Sequence, residues 1–483
     1  MSARELNRRL NSEDAAFLLM DTDESPQNIG SIAIFEGDID AGRFVANIEA
    51  KLHLIPRYTQ KITEAPFEVA RPTWEFDPAF DIRNHVFEIT LEAPGSDDQL
   101  VSMASKLTEG RLDRDKPLWE INLVHGLSGG RSALISKVHH CLVDGVGGVE
   151  MLMVVLDVSR DSGPPPPAPA IEARGTPSRT SLLIDALFDN AEESVERWAE
   201  WQRGLLDFLE GDTRDANAIR NGIRRALPYF LNKMTPACFN GKFSGRRQIA
   251  VTSYPFEQVR GVRKAICGTV NDVILAVVSL AMREYLRGHG ESVEGREFRV
   301  LTPVNLRRED DSGMMGNRIS MLLVELPVYL SDPEETLRVI ASRTEKLKEE
   351  HAADGIEMIG RSLMALPPAV TSALSRLGAP KNTVANMVCT NVPGPMIPLY
   401  TVGHQLLEHY ALAPLGWEMG AGVAVTSYNQ RLYITLQSDA ALTDDMETLH
   451  ELFDIAYREL CHAAGVDMAA APAMAVLDRT AAA

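Results

Sequence analysis

RSALISKVHHCLVDGVGGVEMLMVVL, residues 131–156, carries the reading of this chain. The apolar or alternating run SALISKV (132–138) has the character of a strand, and it leads into the pair His139-His140. Three residues later Asp144-Gly145 follows, and glycines then open an apolar helical segment. In a strand ending at His140, Leu134, Ser136, Val138 and His140 share one face, and Lys137 and His139 share the other. Only one of the two imidazoles can therefore face a given cleft. An imidazole with an ordinary pKa of about 6.5 is largely neutral at pH 7 and suits removal of a proton from an alcohol or amine. Asp144 either holds that imidazole or pairs with an arginine elsewhere and locks the turn, while Gly145 permits close backbone approach. Two blander readings compete: a satisfied core pair of histidines at a strand end, and a thiol relay through Cys141 that nothing in the pattern requires.

Outward from this stretch, DSGPPPPAPAIEARGTPSRTS (161–181) cannot build a helix or a central strand and predicts an exposed linker. Before it, strands are expected at 31–37, 87–93 and 132–138 with helices near 41–53 and 97–109, an α/β pattern. After it, 181–211 has the three- and four-residue apolar steps of amphipathic helices. The pattern then returns to α/β, with helices at 271–287, 334–350, 357–377 and 443–463 and strands at 298–305, 319–326, 384–391 and 420–438. The last of these is a hairpin, VAVTSY and RLYITL about Asn429-Gln430, where Asn tolerates a positive φ. The organisation predicted is an N-terminal lobe (1–160), a linker with amphipathic helices (161–245) and a C-terminal lobe (246–483).

Composition narrows the classes. In 483 residues, 48 Lys and Arg stand against 67 Asp and Glu, a net charge of −19 that disfavours a nucleic-acid partner. Any anionic ligand must meet a local cluster of basic residues. Five scattered cysteines without CxxC spacing indicate neither a disulfide framework nor a zinc site, and no metal or redox cofactor is implied. No signal-peptide core and no run of about 20 apolar residues is found, so a cytoplasmic location is expected, with any membrane met from its surface.

HHCLVDG, together with PGSDDQL (94–100), LDRDKPLWE (112–120), TVNDVIL (269–275), LTPVNLR (301–307), MGNRIS (315–320) and TNVPGP (390–395), resembles the bacterial wax ester synthase/diacylglycerol acyltransferase family of the CoA-dependent acyltransferase superfamily. The resemblance spans nearly the whole chain. It implies two chloramphenicol-acetyltransferase-like lobes with a tunnel between them, acyl-CoA as co-substrate, and His140 as general base. Where the family often carries Pro-Met, Pro26-Gln27 stands here, so acceptor entry near that segment is expected to differ.

Within this frame His139, His140, Asp144 and Gly145 are the catalytic candidates, and Asn271, Trp119, Asn391 and Arg307 are the substrate-binding ones. Each of the latter also has a structural reading. Thr269-Val270-Asn271-Asp272 matches a capping box, with Asn271 either at the helix start or lining the site. Trp119 is a tunnel edge or a core residue at a strand start, and Asn391 ends a strand ahead of a rigid Pro-Gly-Pro turn. Arg57, Arg307, Arg308 and Arg318 are candidates for CoA phosphates. The segment 181–210 fits packing across the lobes better than binding to anionic lipid, because its polar face is acidic; peripheral membrane or lipid-droplet contact is the alternative. The expected activity is transfer of a long-chain acyl group from CoA to diacylglycerol or a fatty alcohol. The alternatives are a stand-alone condensation or polyketide-tailoring enzyme with a carrier-protein donor, and a silent acyl-lipid-binding scaffold.

Overall fold

The computed structural model describes residues 9–64, 70–142, 154–161, 163, 228, 232, 234–266, 268–305, 319–349, 384–416, 418–443 and 445–468. The N-terminal half comprises α1 (Ser12–Met20), β1 (Asn28–Phe35), α2 (Ala41–Lys51), the paired β2 (Gln60–Thr63) and β3 (Thr73–Phe76), β4 (Val86–Thr90), α3 (Asp97–Thr108), β5 (Trp119–Leu127) and β6 (Arg131–His139). The C-terminal half continues with β7 (Arg247–Pro255), α4 (Phe256–Ile266), α5 (Val270–Gly288), β8 (Phe298–Asn305), β9 (Ile319–Leu326), α6 (Pro333–Glu349) and β10 (Met387–Val392). It closes with β11 (Tyr400–Thr401), β12 (His404–Leu412), β13 (Ala421–Tyr428), β14 (Arg431–Asp439) and α7 (Met446–Ala463). The linker and the amphipathic stretch 181–210 fall almost entirely outside the described residues, as does the helix expected at 357–377.

Two six-stranded sheets form the frame, ordered β11-β12-β1-β6-β5-β4 and β7-β14-β13-β10-β8-β9. Each is the heart of its own apolar core, giving the two-lobed α/β architecture expected. β6 is central in the first sheet, between β1 and β5, so the histidines sit at the end of a strand fixed on both sides. The second sheet is mixed, with β10 parallel to both β8 and β13.

Local chemistry explains the elements. α3 starts at a complete capping box, in which the Ser96 hydroxyl takes the Gln99 N–H and the Gln99 side chain answers the Ser96 N–H. Its Leu100, Val101 and Ala104 are buried. α5 starts at the Thr269–Asp272 box, and nearly its whole length after that is buried against α6 and α7. No single helix among the described residues is long and apolar enough to cross a membrane. The β13–β14 hairpin turns on Asn429 and Gln430 with φ of 41° and 64°, the two positive angles that a two-residue turn of this hand needs.

The boundary expected at residue 246 is crossed by β11 and β12. β12 pairs antiparallel with β1, from Gly30 opposite Leu412 to Phe35 opposite Leu406, and so completes the N-terminal sheet with a C-terminal strand. Two tyrosines tie the sheets at this crossing: the Tyr433 hydroxyl donates to the Leu407 carbonyl at 3.0 Å and the Tyr428 hydroxyl to Leu406 at 2.9 Å.

Candidate active site

The strand β6 stops at His139, and His140 opens a short 3-10 turn, His140–Leu142. The His140 N–H carries the β1–β6 register one step further, donating to the Gln27 carbonyl at 2.8 Å. The assigned strand thus ends one residue short of the expected His140, and the two rings meet different neighbours.

His139 is fully buried. Its Nδ1 accepts the Cys141 N–H at 3.1 Å, which leaves its proton on Nε2. That nitrogen lies 3.7 Å from Asp21 Oδ2, beyond hydrogen-bond range. Asp21, which ends α1, also accepts from the Gln27 N–H at 2.9 Å and from Arg114 Nη2 at 3.1 Å. Burial opposes its charge, but His139, the Gln27 N–H and Arg114 together outweigh burial and hold the carboxyl below the usual aspartate range. One buried carboxylate thus joins α1, β6 and the loop whose carbonyl anchors His140.

His140 stacks on Phe17 of α1, with ring centroids 3.8 Å apart and planes 14° from parallel. The residue is part-buried while its Nδ1 is sealed from solvent and has no hydrogen-bond partner among the described residues. Burial pushes this imidazole down to about 4, and the adjacent His139 acts in the same direction. The ring is accordingly neutral at pH 7 and able to accept a proton. Cys141 is buried, and burial raises its thiol well above the ordinary cysteine range, so it stays protonated and unfit to relay an acyl group.

The other candidates divide. Asp144, Gly145 and Arg307, with Arg308 and Arg318, lie outside the described residues. Trp119 is in the core: it pairs with Val138 on the face opposite His139, donates its indole N–H to the Tyr58 carbonyl at 2.7 Å, and stacks on His85 at 4.6 Å. Asn391 sits within β10 opposite Val425, just before the turn where Gly394 donates to the Ser427 hydroxyl, an architectural setting. Asn271 is in the first turn of α5, and its Oδ1 is buried with no partner among the described residues. Asp272 is structural, accepting from Thr269 at one oxygen and from Thr344 at the other. No hydrogen bond among the described residues joins Asn271, Asn391 or Trp119 to His140. Arg57 lies over the Trp74 ring at 4.9 Å.

Sequence reasoning missed Phe17, Asp21 and Arg114 around the histidines, and it missed Arg247. Arg247, at the start of β7, gives its N–H to Glu109 Oε1 at 2.8 Å, and burial pushes its guanidinium down to about 10. The available signals were weak: Asp21 is only the last polar residue after an apolar helix, and Arg114 lies inside the LDRDKPLWE block.

The fold is two-lobed and α/β, with a histidine pair at the end of a central strand in the sheet that a strand of the C-terminal half completes. The profile of the wax ester synthase/diacylglycerol acyltransferase catalytic domain matches residues 10–274, and that of the family's C-terminal domain matches residues 315–461. The chain belongs to the wax ester synthase/diacylglycerol acyltransferase family. It is 30% identical over 428 residues to the Mycobacterium tuberculosis protein named "Probable diacyglycerol O-acyltransferase tgs1", covering 86% of this chain and 87% of that one. In fold it is similar to the wax ester synthase/diacylglycerol acyltransferase from Marinobacter aquaeolei VT8, with a TM-score of 0.65, 24% identity, and coverage of 95% of this chain and 100% of that one. It is also similar to the first condensation domain of the calcium-dependent antibiotic synthetase, with a TM-score of 0.62, 15% identity, and coverage of 95% and 96%.

Proposed function

We propose that this chain transfers a long-chain acyl group from acyl-CoA to the hydroxyl of diacylglycerol, giving triacylglycerol, or of a fatty alcohol, giving a wax ester, with His140 as general base. The observation that carries the reading is the His140 imidazole, neutral at pH 7 and stacked on Phe17, on a residue whose backbone N–H is anchored to the Gln27 carbonyl, in a chain of this family. The name borne by the mycobacterial relative supports diacylglycerol as an acceptor.

A thioester is an activated donor, so no covalent enzyme nucleophile is needed; the work is to hold both substrates in line and to deprotonate the acceptor. His140 takes the hydroxyl proton as the alkoxide oxygen forms its bond to the thioester carbonyl carbon. The tetrahedral intermediate then collapses, the C–S bond breaks, and the departing CoA thiolate recovers the proton from His140. His139 acts as a positioning residue, its ring fixed between the Cys141 N–H and Asp21. Asp144 and Gly145, of the same motif, remain catalytic candidates by sequence, and Asn271, whose buried amide oxygen has no partner among the described residues, remains the substrate-binding candidate of the second lobe. Acyl-CoA serves as co-substrate and no other cofactor takes part. The enzyme works in the cytoplasm, meeting its apolar acceptors at the surface of a membrane or lipid droplet.

The test is CoA release from palmitoyl-CoA with hexadecanol, with diacylglycerol and with neither, beside His140→Ala, with the lipid products separated chromatographically. Acceptor-dependent release that falls about 100-fold or more in a folded His140→Ala variant supports the base, in line with the usual worth of general-base catalysis. Equal release from the variant overturns it. Release only from a carrier-protein thioester moves the chain to the condensation class.

A further inference from the structure

α1 meets both histidines from one side. Phe17 and Asp21 stand roughly one helical turn apart, so both fall on the face that α1 turns to the end of β6. Asp21 lies beside His139, and Phe17 covers His140 with its ring nearly parallel, 3.8 Å away between centroids and 14° between planes. Phe17 and His140 are each part-buried, so the stack sits where the fold meets solvent rather than in the core.

The helix that presents Phe17 is held at both ends. Ahead of it, Leu10 is buried and donates its N–H to the Pro72 carbonyl at 3.0 Å, and the Asn11 side chain takes the Asp14 N–H at 2.7 Å. At its end, Arg114 Nη2 donates to the Leu18 carbonyl at 2.8 Å and to Asp21 Oδ2 at 3.1 Å, while Asp21 Oδ1 takes the Gln27 N–H. Ala15, Ala16 and Leu18 are buried. The Gln27 carbonyl in turn takes the His140 N–H, so the backbone of the base and the helix bearing Phe17 are tied through one residue.

The two imidazoles are oriented by different means. The His139 ring is turned by a hydrogen bond, its Nδ1 accepting the Cys141 N–H. At His140 the backbone is anchored, but the ring has no side-chain hydrogen-bond partner among the described residues, and its Nδ1 is sealed from solvent. Nε2 is then the nitrogen left to meet a substrate hydroxyl. The torsion that turns a histidine ring is broad, and rotation about it would swing Nε2 out of line. A parallel phenyl face closes that rotation, because turning the imidazole drives its edge into the phenyl ring. Misplacing a catalytic group by about 1 Å costs about 100-fold in rate, so aim matters as much as proton affinity.

We propose that Phe17 is a positioning residue for acyl transfer, its ring fixing the rotation of the His140 imidazole so that Nε2 stays aimed at the acceptor hydroxyl. The inference rests on the acyl-transfer reading above and adds the means by which the base is aimed. What residue 17 must supply is a flat face, which an aliphatic side chain of similar bulk lacks.

The experiment uses the full chain with palmitoyl-CoA and either hexadecanol or 1,2-dioctanoylglycerol, in wild type, Phe17→Leu and Phe17→Tyr. In Phe17→Leu kcat falls about 10- to 100-fold with either acceptor while both KM values stay within about twofold, and in Phe17→Tyr, which keeps the flat face, kcat stays within about threefold of wild type. An unchanged kcat in Phe17→Leu overturns the proposal. So does a rise in KM without a fall in kcat, which makes Phe17 a wall of the substrate channel, and so does an equal fall in Phe17→Tyr, which makes it a packing residue. Should Phe17→Leu fail to fold, Phe17→Met makes the same comparison. Wild type that releases no CoA with either acceptor defeats the acyl-transfer reading instead. The stack is then judged by the rate at which diethyl pyrocarbonate modifies His140, followed by peptide mass spectrometry: a faster rate in Phe17→Leu than in wild type and Phe17→Tyr supports the hold on the ring, and equal rates overturn it.

Discussion

Replacing Asp21 by Asn removes the one charge that joins α1, β6 and the loop beneath His140 while keeping the side-chain shape. Asp21 is buried, with His139 Nε2 at 3.7 Å, Arg114 Nη2 at 3.1 Å and the Gln27 N–H at 2.9 Å. Removing one partner of a fully buried ion pair costs about 3–5 kcal/mol. The Arg114 side chain keeps 34% of its surface in solvent, which lowers the expected loss to about 2–3 kcal/mol. For a lobe of this size that is a fall of about 4–12 °C in its unfolding midpoint, read by calorimetry on the full chain. The pH dependence tests the cause. Because the folded carboxyl lies below its unfolded value, its stabilisation is fully present above the ordinary aspartate range and is lost as pH falls through the folded pKa. The gap between wild type and Asp21→Asn is therefore complete at pH 7 and closes below about pH 4. A gap that stays constant from pH 7 down to pH 3, or no gap at all, would show that the carboxylate is not what holds these three elements together.

Further outcomes follow from other residues. With burial holding His140 near 4, kcat/KM is flat from about pH 5.5 to 8 and declines only as pH falls through the folded value and the base becomes protonated; an acid limb near 6.5 in the pH–rate profile refutes this environment. Trp119→Phe deletes the indole donor and leaves the Tyr58 carbonyl unsatisfied in the core, so thermal unfolding reports a loss of about 1–3 kcal/mol while the KM for acyl-CoA holds. Gly394→Ala places a Cβ 2.2 Å from the Ser427 carbonyl oxygen, and soluble yield and unfolding midpoint both drop, by about 1–3 kcal/mol or more in stability. Thr344→Val strips the Asp272 Oδ1 partner and loosens the start of α5, which hydrogen exchange at Val273 and Ile274 detects as faster opening.

Much of this architecture was legible because its determinants are local. The Thr269-x-x-Asp272 box, the Asn429-Gln430 turn and the run into His139-His140 each lie within a few residues, and each forms as its pattern predicts. What escaped depends on distant parts of the chain. Asp21 and Phe17 precede the histidines by more than a hundred residues, and only the packing of α1 against the turn after β6 brings them together. The arginines show the same limit. Composition offers Arg57, Arg307, Arg308 and Arg318 as readily as Arg247, and burial between two lobes, which singles out Arg247, has no signature along the chain. β12 falls in 404–412, where no strand is expected from the sequence, and nothing in those residues tells which sheet they join.

That placement of β12 has a consequence for synthesis. β1 leaves the ribosome early, but the strand that covers its free edge follows roughly 380 residues later. At about 5–20 residues per second, that edge waits about 20–75 s for its partner. An open strand edge of this kind is a template for pairing with other chains, so the nascent N-terminal lobe is a client for holding chaperones until the polypeptide is nearly finished. A transcript truncated before residue 404 releases a product with a permanently unsealed edge, and that product is expected in the insoluble fraction.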